Sequence, residues 1–381
     1  MASIGLCMIV KNEAHIIRRC LDSALPLLDY VLIVDTGSTD GTQQAIRDFL
    51  REKNLPGEVL EEPWRDFAHN RSFALQKLRE RRDIDYGLMI DADEVLMYEP
   101  GFDAGRFKRG LARDIYDVQT RYANITYLRP QIFSNRREFV YKGVLHEYLD
   151  GPEIRTRDTV IGIFNRPVQD SARSQNPHKF QDDAAVLENA LRTETDPFLI
   201  ARYTFYLAQS YRDCGGQRQA LQAYLRRAQL GYWDEEVFVS LLNAARLKEA
   251  LAHEEAEVIQ SYLAAYEALP KRLESLHGAI RLCRLRGKHQ QAYLLGNHAL
   301  ALPRPKNGLF LEQWVYDYGL LDEFSIVAYW AGHYRESFNA CLKLLKEGKA
   351  PAEYRPRIRD NAQFAIEKLQ QPGLTKLLPA N

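Results

Sequence analysis

Apolar runs alternate with amphipathic stretches along the first hundred residues. Ile4 to Val10 (IGLCMIV) carries no charge, and beyond Glu13 the apolar positions Ile16, Ile17, Cys20, Leu21 and Ala24 recur at helical spacing. Tyr30 to Asp35 (YVLIVD) is a second such run, followed by an amphipathic stretch from Gly41 to Arg51, and GEVLEEP and YGLMID supply two further short strands. Short strands alternating with helices predict βαβ units and a largely parallel sheet covered on both faces. The carboxyl ends of the strands in such a sheet open onto one ligand crevice. Lys11-Asn12, Asp35 and Asp91 each stand at such an end.

From about residue 175 the strand-like runs stop, and Ala, Leu, Tyr, Arg, Glu and Gln recur at the helical period. In YTFYLAQSYRDCGGQRQALQAYLRRA, residues Leu207, Ala208, Tyr211, Gly215, Ala220 and Tyr224 occupy the packing positions of a tetratricopeptide repeat. The small residue at the tight helix crossing returns at Ala256, Ala292 and Ser337, and Gly215, Gly287 and Gly332 mark inter-helix turns. The predicted division is an α/β domain over 1–175, a linking helix over 176–198 and a helical repeat domain over 199–381. A solenoid of helix pairs builds a concave surface for a peptide or partner protein. It equally suits a homodimer contact.

Composition narrows the function classes. A chain of 381 residues suits two domains better than one core. Its 51 basic and 51 acidic residues cancel, so no global field recruits nucleic acid or an anionic membrane, and any anion site is local. The five cysteines show neither CxxC pairing nor metal spacing and read as reduced core thiols, which places the protein in the cytoplasm. The apolar start is too short for a signal peptide and no run reaches the roughly 18 to 20 apolar residues of a membrane span.

Two stretches carry chemistry. In VLIVDTGSTDGT, Val31 to Thr42, a β-branched run ends at Asp35, and a turn rich in Gly, Ser and Asp then opens a helix. Gly37 and Gly41 permit positive φ, Asp40 or Thr42 can cap the helix, and Asp35 is placed to accept hydrogen bonds from a base or a ribose. In LMIDADEVL, an apolar run ends in Asp91-Ala92-Asp93-Glu94. Three carboxylates within four residues repel one another unless water or a cation compensates. Carboxylates at i and i+2 just past a strand suit Mg²⁺ or Mn²⁺ bridging to a diphosphate, whose departure the ion assists.

CMIVKNE, VLIVDTGSTDGT, the W-x-D-F-x-x-x-R pattern from Trp64 to Arg71 and LMIDADEVL, in that order, resemble family 2 glycosyltransferases of the GT-A fold, over roughly residues 3 to 165. Relatives joined to a tetratricopeptide tail carry a W-D-E-E element like Trp233 to Glu236. The resemblance implies that Asp35 and Arg71 hold the nucleobase and diphosphate ends of the donor, with Val10, Lys11, Asn12 and Glu13 lining the uridine pocket. It also implies that Asp91 and Ala92 meet the donor, that Asp91 reaches ribose or metal through water, and that Asp93 ligates the metal. For Arg71, a surface salt bridge with Asp66 is the competing expectation.

In YKGVLHEYL, an inverting transfer would use Glu147 to take the acceptor's proton. The resemblance places a His-Glu pair near the acceptor. His146 is alternatively a metal ligand, and the pair is alternatively structural. Asp66 and Asp170 are the other carboxylates expected on that side. Relatives often carry His-x-Gly after the next strand, where this chain has Asn165-Arg166-Pro167, a weaker metal site.

The sequence therefore predicts a metal-dependent, inverting glycosyltransferase using a nucleotide sugar, a UDP-sugar first, on a protein, peptide or cell-envelope saccharide. The alternative is a nucleotide-sugar-binding scaffold that acts through its helical repeats. A nucleotidyltransferase is disfavoured because IVKNEAH offers Lys11 but none of the glycines of a phosphate loop.

Overall fold

In the computed structural model, which describes residues 1–122, 125–151 and 155–379, the run Ile4–Val10 is the first strand, β1. Helix α1 (Ile17–Ala24), β2 (Tyr30–Asp35), α2 (Thr42–Glu52), β3 (Gly57–Glu61), α3 (Phe67–Glu80) and β4 (Tyr86–Met89) follow. These four strands lie parallel in the order β3-β2-β1-β4. The continuous apolar character of β1 has a direct cause. Ile4, Leu6, Met8 and Val10 pack with Ile17, Cys20 and Leu21 of α1 and with Ile46 and Phe49 of α2, while Cys7 faces Ala74, Leu75 and Leu78 of α3 on the other side. Both faces are dry, so neither admits polar alternation.

The rest of the sheet departs from the expected parallel pattern. After β5 (Glu94–Tyr98) and α4 (Ala104–Gly110) come β6 (Ile115–Tyr122), β7 (Ile125–Ser134), the short pair β8 (Val140–Lys142) and β9 (Tyr148–Asp150), and β10 (Arg157–Pro167). The eight-stranded order is β3-β2-β1-β4-β7-β6-β10-β5, with β7 antiparallel to both β4 and β6, and β5 antiparallel to β10. β6 and β7 follow one another in the chain and pair antiparallel from Ile115–Phe133 to Tyr122–Ile125, so the sheet becomes mixed. One irregularity matters below: the register between β6 and β7 shifts between Tyr116 and Asp117, so Tyr116 faces Ile132 but Val118 faces Arg129. Helix α5 (Lys179–Thr193) closes this part of the chain.

The chain divides into two compact units, Met1–Arg192 and Thr193–Asn381, an α/β unit followed by an all-α one, in the expected order. The second unit stacks helix pairs: α6 (Pro197–Asp213) with α7 (Gln217–Gln229), α8 (Asp234–Ala250) with α9 (Glu255–Ala268), α10 (Glu274–Leu285) with α11 (His289–Ala301), and α12 (Leu320–Trp330) with α13 (Tyr334–Glu347), before α14 (Arg355–Leu369). Gly215, Gly287 and Gly332 all have positive φ and sit in the turns expected of them. Ala220, Ala292 and Ser337 are fully buried at their crossings, but Ala256 is exposed. Val258 takes its place in the second pair, because α9 begins two residues later than the Ala256 spacing supposes.

The Trp233–Glu236 element also acquires a local explanation. Asp234, Glu235 and Glu236 form the acidic first turn of α8, where carboxylates complement the helix dipole. Glu236 is buried against Arg227 of α7 at 2.9 Å, and Glu235 is buried against Arg272, which also holds Glu274 at 2.7 Å. No helix among the described residues is long and apolar enough to cross a membrane.

Candidate active site

Parallel strands bring Val10 and Asp35 side by side, and Met89, two residues before Asp91, pairs with Cys7. The segments after β1, β2 and β4 therefore emerge along one edge. Asp35 is almost fully buried, and its Oδ1 accepts hydrogen bonds from the backbone N–H groups of Gly37 at 2.9 Å and Ser38 at 2.8 Å. Burial works to raise its pKa, but Ser38, Gly37 and Gln43 outweigh this and hold the carboxyl below the usual range. Its Oδ2 is buried without a hydrogen-bond partner of standard geometry. Gly37 and Gly41 have φ of 110° and 91°, values a turn this tight requires and side chains resist.

The residues after β1 are laced to this turn. Asn12, itself at φ 59°, accepts from Thr39 N–H at 2.8 Å and donates its own N–H to Ser38 Oγ at 2.8 Å. Glu13 N–H donates to Thr42 Oγ1 at 2.8 Å. The Glu13 carboxyl is buried, which pushes its pKa up to about 7; Asp93 and Asp40 add to the rise, while the N–H of Ala172 and the nearby His15 oppose it. Lys11 is exposed at the head of the loop.

Past β4 the chain turns through Asp91-Ala92-Asp93 and enters β5 at Glu94. Arginines compensate two of the three acids. Arg71, from α3, is buried, with Nη2 at 2.6 Å from Asp91 Oδ1 and Nε at 2.7 Å from Glu147 Oε1. The second contact is an ion pair rather than an aligned hydrogen bond, since Nε makes none. The Arg71 guanidinium also lies 5.6 Å from the ring centre of Tyr141. Arg129, from β7, reaches Asp91 Oδ2 at 3.9 Å through Nη1 and pairs with Glu94 through Nη2. Glu94 in turn accepts the Asp91 N–H at 3.1 Å. Burial presses both carboxyls toward protonation; Arg71 and Arg129 overcome it at Asp91, held below the usual range, whereas at Glu94 burial prevails and the pKa rises.

Asp93 makes no ion pair among the described residues. Its Oδ2 lies 3.4 Å from Ser174 Oγ, and its carbonyl accepts from Val168 N–H at 2.8 Å. Ala92 is buried between the two acids. His146 is exposed with φ 53°, and Glu147 follows it just before β9.

A divalent cation fits this donor set in a limited sense. Among the described residues no group of three or more His, Cys, Asp or Glu side chains converges as a metal cage, and a cation beside Asp91 would face two guanidiniums. Asp93 remains as a hard oxygen ligand, which suits Mg²⁺ or Mn²⁺ bound by one carboxylate plus substrate phosphates and water.

The competing partners are otherwise engaged. Asp66 caps α3, accepting from His69 N–H at 2.7 Å, and does not pair with Arg71. Trp64 packs edge-to-face on Phe67 at 4.8 Å, and buried Asn70 bridges Arg65 N–H and the Pro63 carbonyl, so most of the W-x-D-F-x-x-x-R pattern builds the helix start that delivers Arg71. Asp170 forms a two-pronged ion pair with Arg19 at 2.6 and 2.8 Å. Asn165 lies inside β10, fully buried, with neither amide atom hydrogen-bonded. Arg129 and Glu94 were not singled out from the sequence, where TYLRPQ carries no motif and Glu94 reads as one more acid in the cluster.

Residues 6–99 match glycosyl transferase family 2. A TPR repeat-containing protein of Synechococcus elongatus is 29% identical over 155 residues, 39% of this chain and 36% of that protein. An uncharacterized glycosyltransferase of Rickettsia felis is 26% identical over 246 residues, covering 62% of this chain and 79% of its own. A lipopolysaccharide core biosynthesis glycosyltransferase of Rhizobium meliloti is 34% identical over 89 residues, 23% of this chain and 31% of that one. The chain thus spans about a third of the length of two of these three relatives. The stretch that matches glycosyl transferase family 2 lies within the N-terminal α/β unit and includes Asp35, Arg71, Asp91 and Asp93. Helical repeats of tetratricopeptide type follow it in the same chain.

Proposed function

We propose that the chain transfers a sugar from a UDP-sugar, with inversion, to a protein, peptide or cell-envelope saccharide. The observation that carries this reading is the edge formed after β2 and β4. There Asp35 keeps a buried carboxylate oxygen without a hydrogen-bond partner of standard geometry, and Arg71 is a buried cation held between two carboxylates. An unpaired buried acceptor is costly unless a ligand donor meets it, and a guanidinium fork suits phosphate oxygens.

In this scheme Asp35 accepts from the base or ribose of the donor, with the Val10–Glu13 loop beside it. Arg71 binds the diphosphate. Asp93 holds Mg²⁺ or Mn²⁺ together with the donor phosphates. Such an ion, when held by Asp93, would supply charge neutralisation for the departing nucleoside diphosphate. Glu147 takes the proton of the acceptor nucleophile as its new bond to the anomeric carbon forms and the bond from that carbon to the diphosphate oxygen breaks. The helical repeats engage the acceptor or a second copy of the chain. The saccharide acceptor draws support from the Rhizobium relative's role in lipopolysaccharide core synthesis. Five free thiols suit the cytoplasm.

A panel of nucleotide sugars read by thermal shift, with and without Mn²⁺, tests the donor. Occupancy at 100 times Kd adds roughly 2.7 kcal/mol of stability, so UDP-sugars should raise the melting temperature, more so with Mn²⁺. Asp93→Asn should remove the Mn²⁺-dependent part and abolish transfer. No shift with any nucleotide sugar would overturn the reading.

A further inference from the structure

We infer that Arg129 is a positioning residue that fixes Asp91 and, through it, the setting of Arg71 toward the donor diphosphate; the inference rests on the glycosyltransferase reading above. Five side chains from four segments of the chain form a line of alternating charge: Glu147, Arg71, Asp91, Arg129 and Glu94. With Arg71 as its only cation, Asp91 would have to share that guanidinium with whatever anion arrives. Arg129 is the second cation on Asp91, and Glu94 is its anchor on the other side.

The backbone is shaped to put Arg129 there. Tyr116 and Val118, alternate residues of β6, share one sheet face, and Tyr116 faces Ile132. Regular pairing would set Pro130 opposite Val118. The extra residue in β7 at the shifted register sets Arg129 there instead, turning it onto the face of Val118 and Ile132, both part of the core under α1 and α2. A bulge of this kind re-aims side chains and recurs beside active sites. Gln131, within the bulge, donates its Nε2 to the carbonyl of Met89 at 3.2 Å, which ties the distortion to the end of β4 just before Asp91.

Stability alone does not call for this arrangement, because a buried ionic line replaced by apolar residues of similar volume is often as stable or more so. Its use lies in orientation. Arg129 and Asp91 are each about a third exposed at the side chain, so the line borders an open space.

The test is UDP binding by calorimetry, with GDP in parallel, on wild type, Arg129→Met, Arg129→Lys, Asp91→Asn and the Asp91→Asn/Arg129→Met double variant, with melting temperatures on the same preparations. Arg129→Met should weaken UDP by about tenfold, and in the Asp91→Asn background the same change should add less than about twofold, because the two act as one unit. Arg129→Lys keeps the charge but not the fork and should fall between wild type and Arg129→Met. Should the methionine variant fail to fold, the lysine variant decides, a loss supporting the inference and wild-type affinity overturning it. Wild-type affinity in Arg129→Met, or a fully additive loss in the double variant, overturns the inference and leaves the glycosyltransferase reading standing. Binding of neither UDP nor GDP by the wild type overturns that reading, and the inference with it.

Discussion

Glu147 Oε1 lies 2.7 Å from Arg71 Nε, so the candidate base and the candidate phosphate ligand are each other's partners. A donor diphosphate drawn to Arg71 competes with Glu147 for the same guanidinium. Donor arrival would then free the carboxylate that the acceptor needs, which favours donor binding before acceptor.

Glu147→Gln tests both halves of that relationship. With the proton acceptor gone, kcat should fall by a factor on the order of 10² to 10⁴. UDP affinity should not fall, because an anionic competitor for Arg71 has been removed. Steady-state kinetics and calorimetry on one preparation check this, and turnover within twofold of wild type would sink the base assignment.

Asp35 offers two graded substitutions. Asp35→Ala removes the acceptor of the Gly37 and Ser38 N–H groups and should cost about 1–3 kcal/mol of stability as well as nucleotide affinity. Asp35→Asn retains an acceptor oxygen for that turn while losing the charge at Oδ2, so UDP binding should weaken with a smaller change in melting temperature. An unchanged UDP dissociation constant in both variants would remove Asp35 from the donor site.

In the helical unit, Gly278 of α10 separates two opposed effects. Alanine is favoured over glycine in a helix by up to about 1 kcal/mol, but a Cβ at this position would lie 2.4 Å from Cε1 of Tyr262. Tyr262 is buried and tethered through its hydroxyl to Glu249, so it cannot swing away. Overpacking at about 1–3 kcal/mol outweighs propensity, and Gly278→Ala should lower the denaturant midpoint. A rise would show that the crossing relaxes freely.

His277 provides a pH signature. It is buried beside the ring of Trp314, and burial, with smaller contributions from Arg281 and Arg246 against Glu312 and Asp322, pushes its pKa down from 6.5 to about 4. The unfolded chain therefore binds the proton first. Its contribution to stability is complete above about pH 6.5 and is lost as pH falls toward 4, on the order of 3 kcal/mol over the window. The difference in stability between wild type and His277→Gln should change across that window and be flat above it, as denaturation at a series of pH values would reveal.

The local pattern was sufficient for β1, β2 and β4, since a strand dry on both faces must be apolar throughout, and for the turn after Asp35, since φ near 110° at Gly37 needs a residue without Cβ. Asp35, Asp91 and Arg71 were likewise visible as charges at strand ends or in a spaced pattern. Periodicity located three of the four small residues at the helix crossings and missed the second, because the start of α9 depends on the loop before it and the spacing cannot register a shift of two residues.

What the sequence could not contain is which charges meet. Asp91 and Arg129 are 38 positions apart, one in the turn after β4 and the other on β7, which pairs antiparallel with β4, and the face Arg129 occupies depends on one extra residue in β7. Because side chains alternate with a period of two, that single residue reverses every orientation beyond it. Strand ends and turns are written in short stretches of chain, whereas ion pairing is a property of register, and only the folded sheet fixes it.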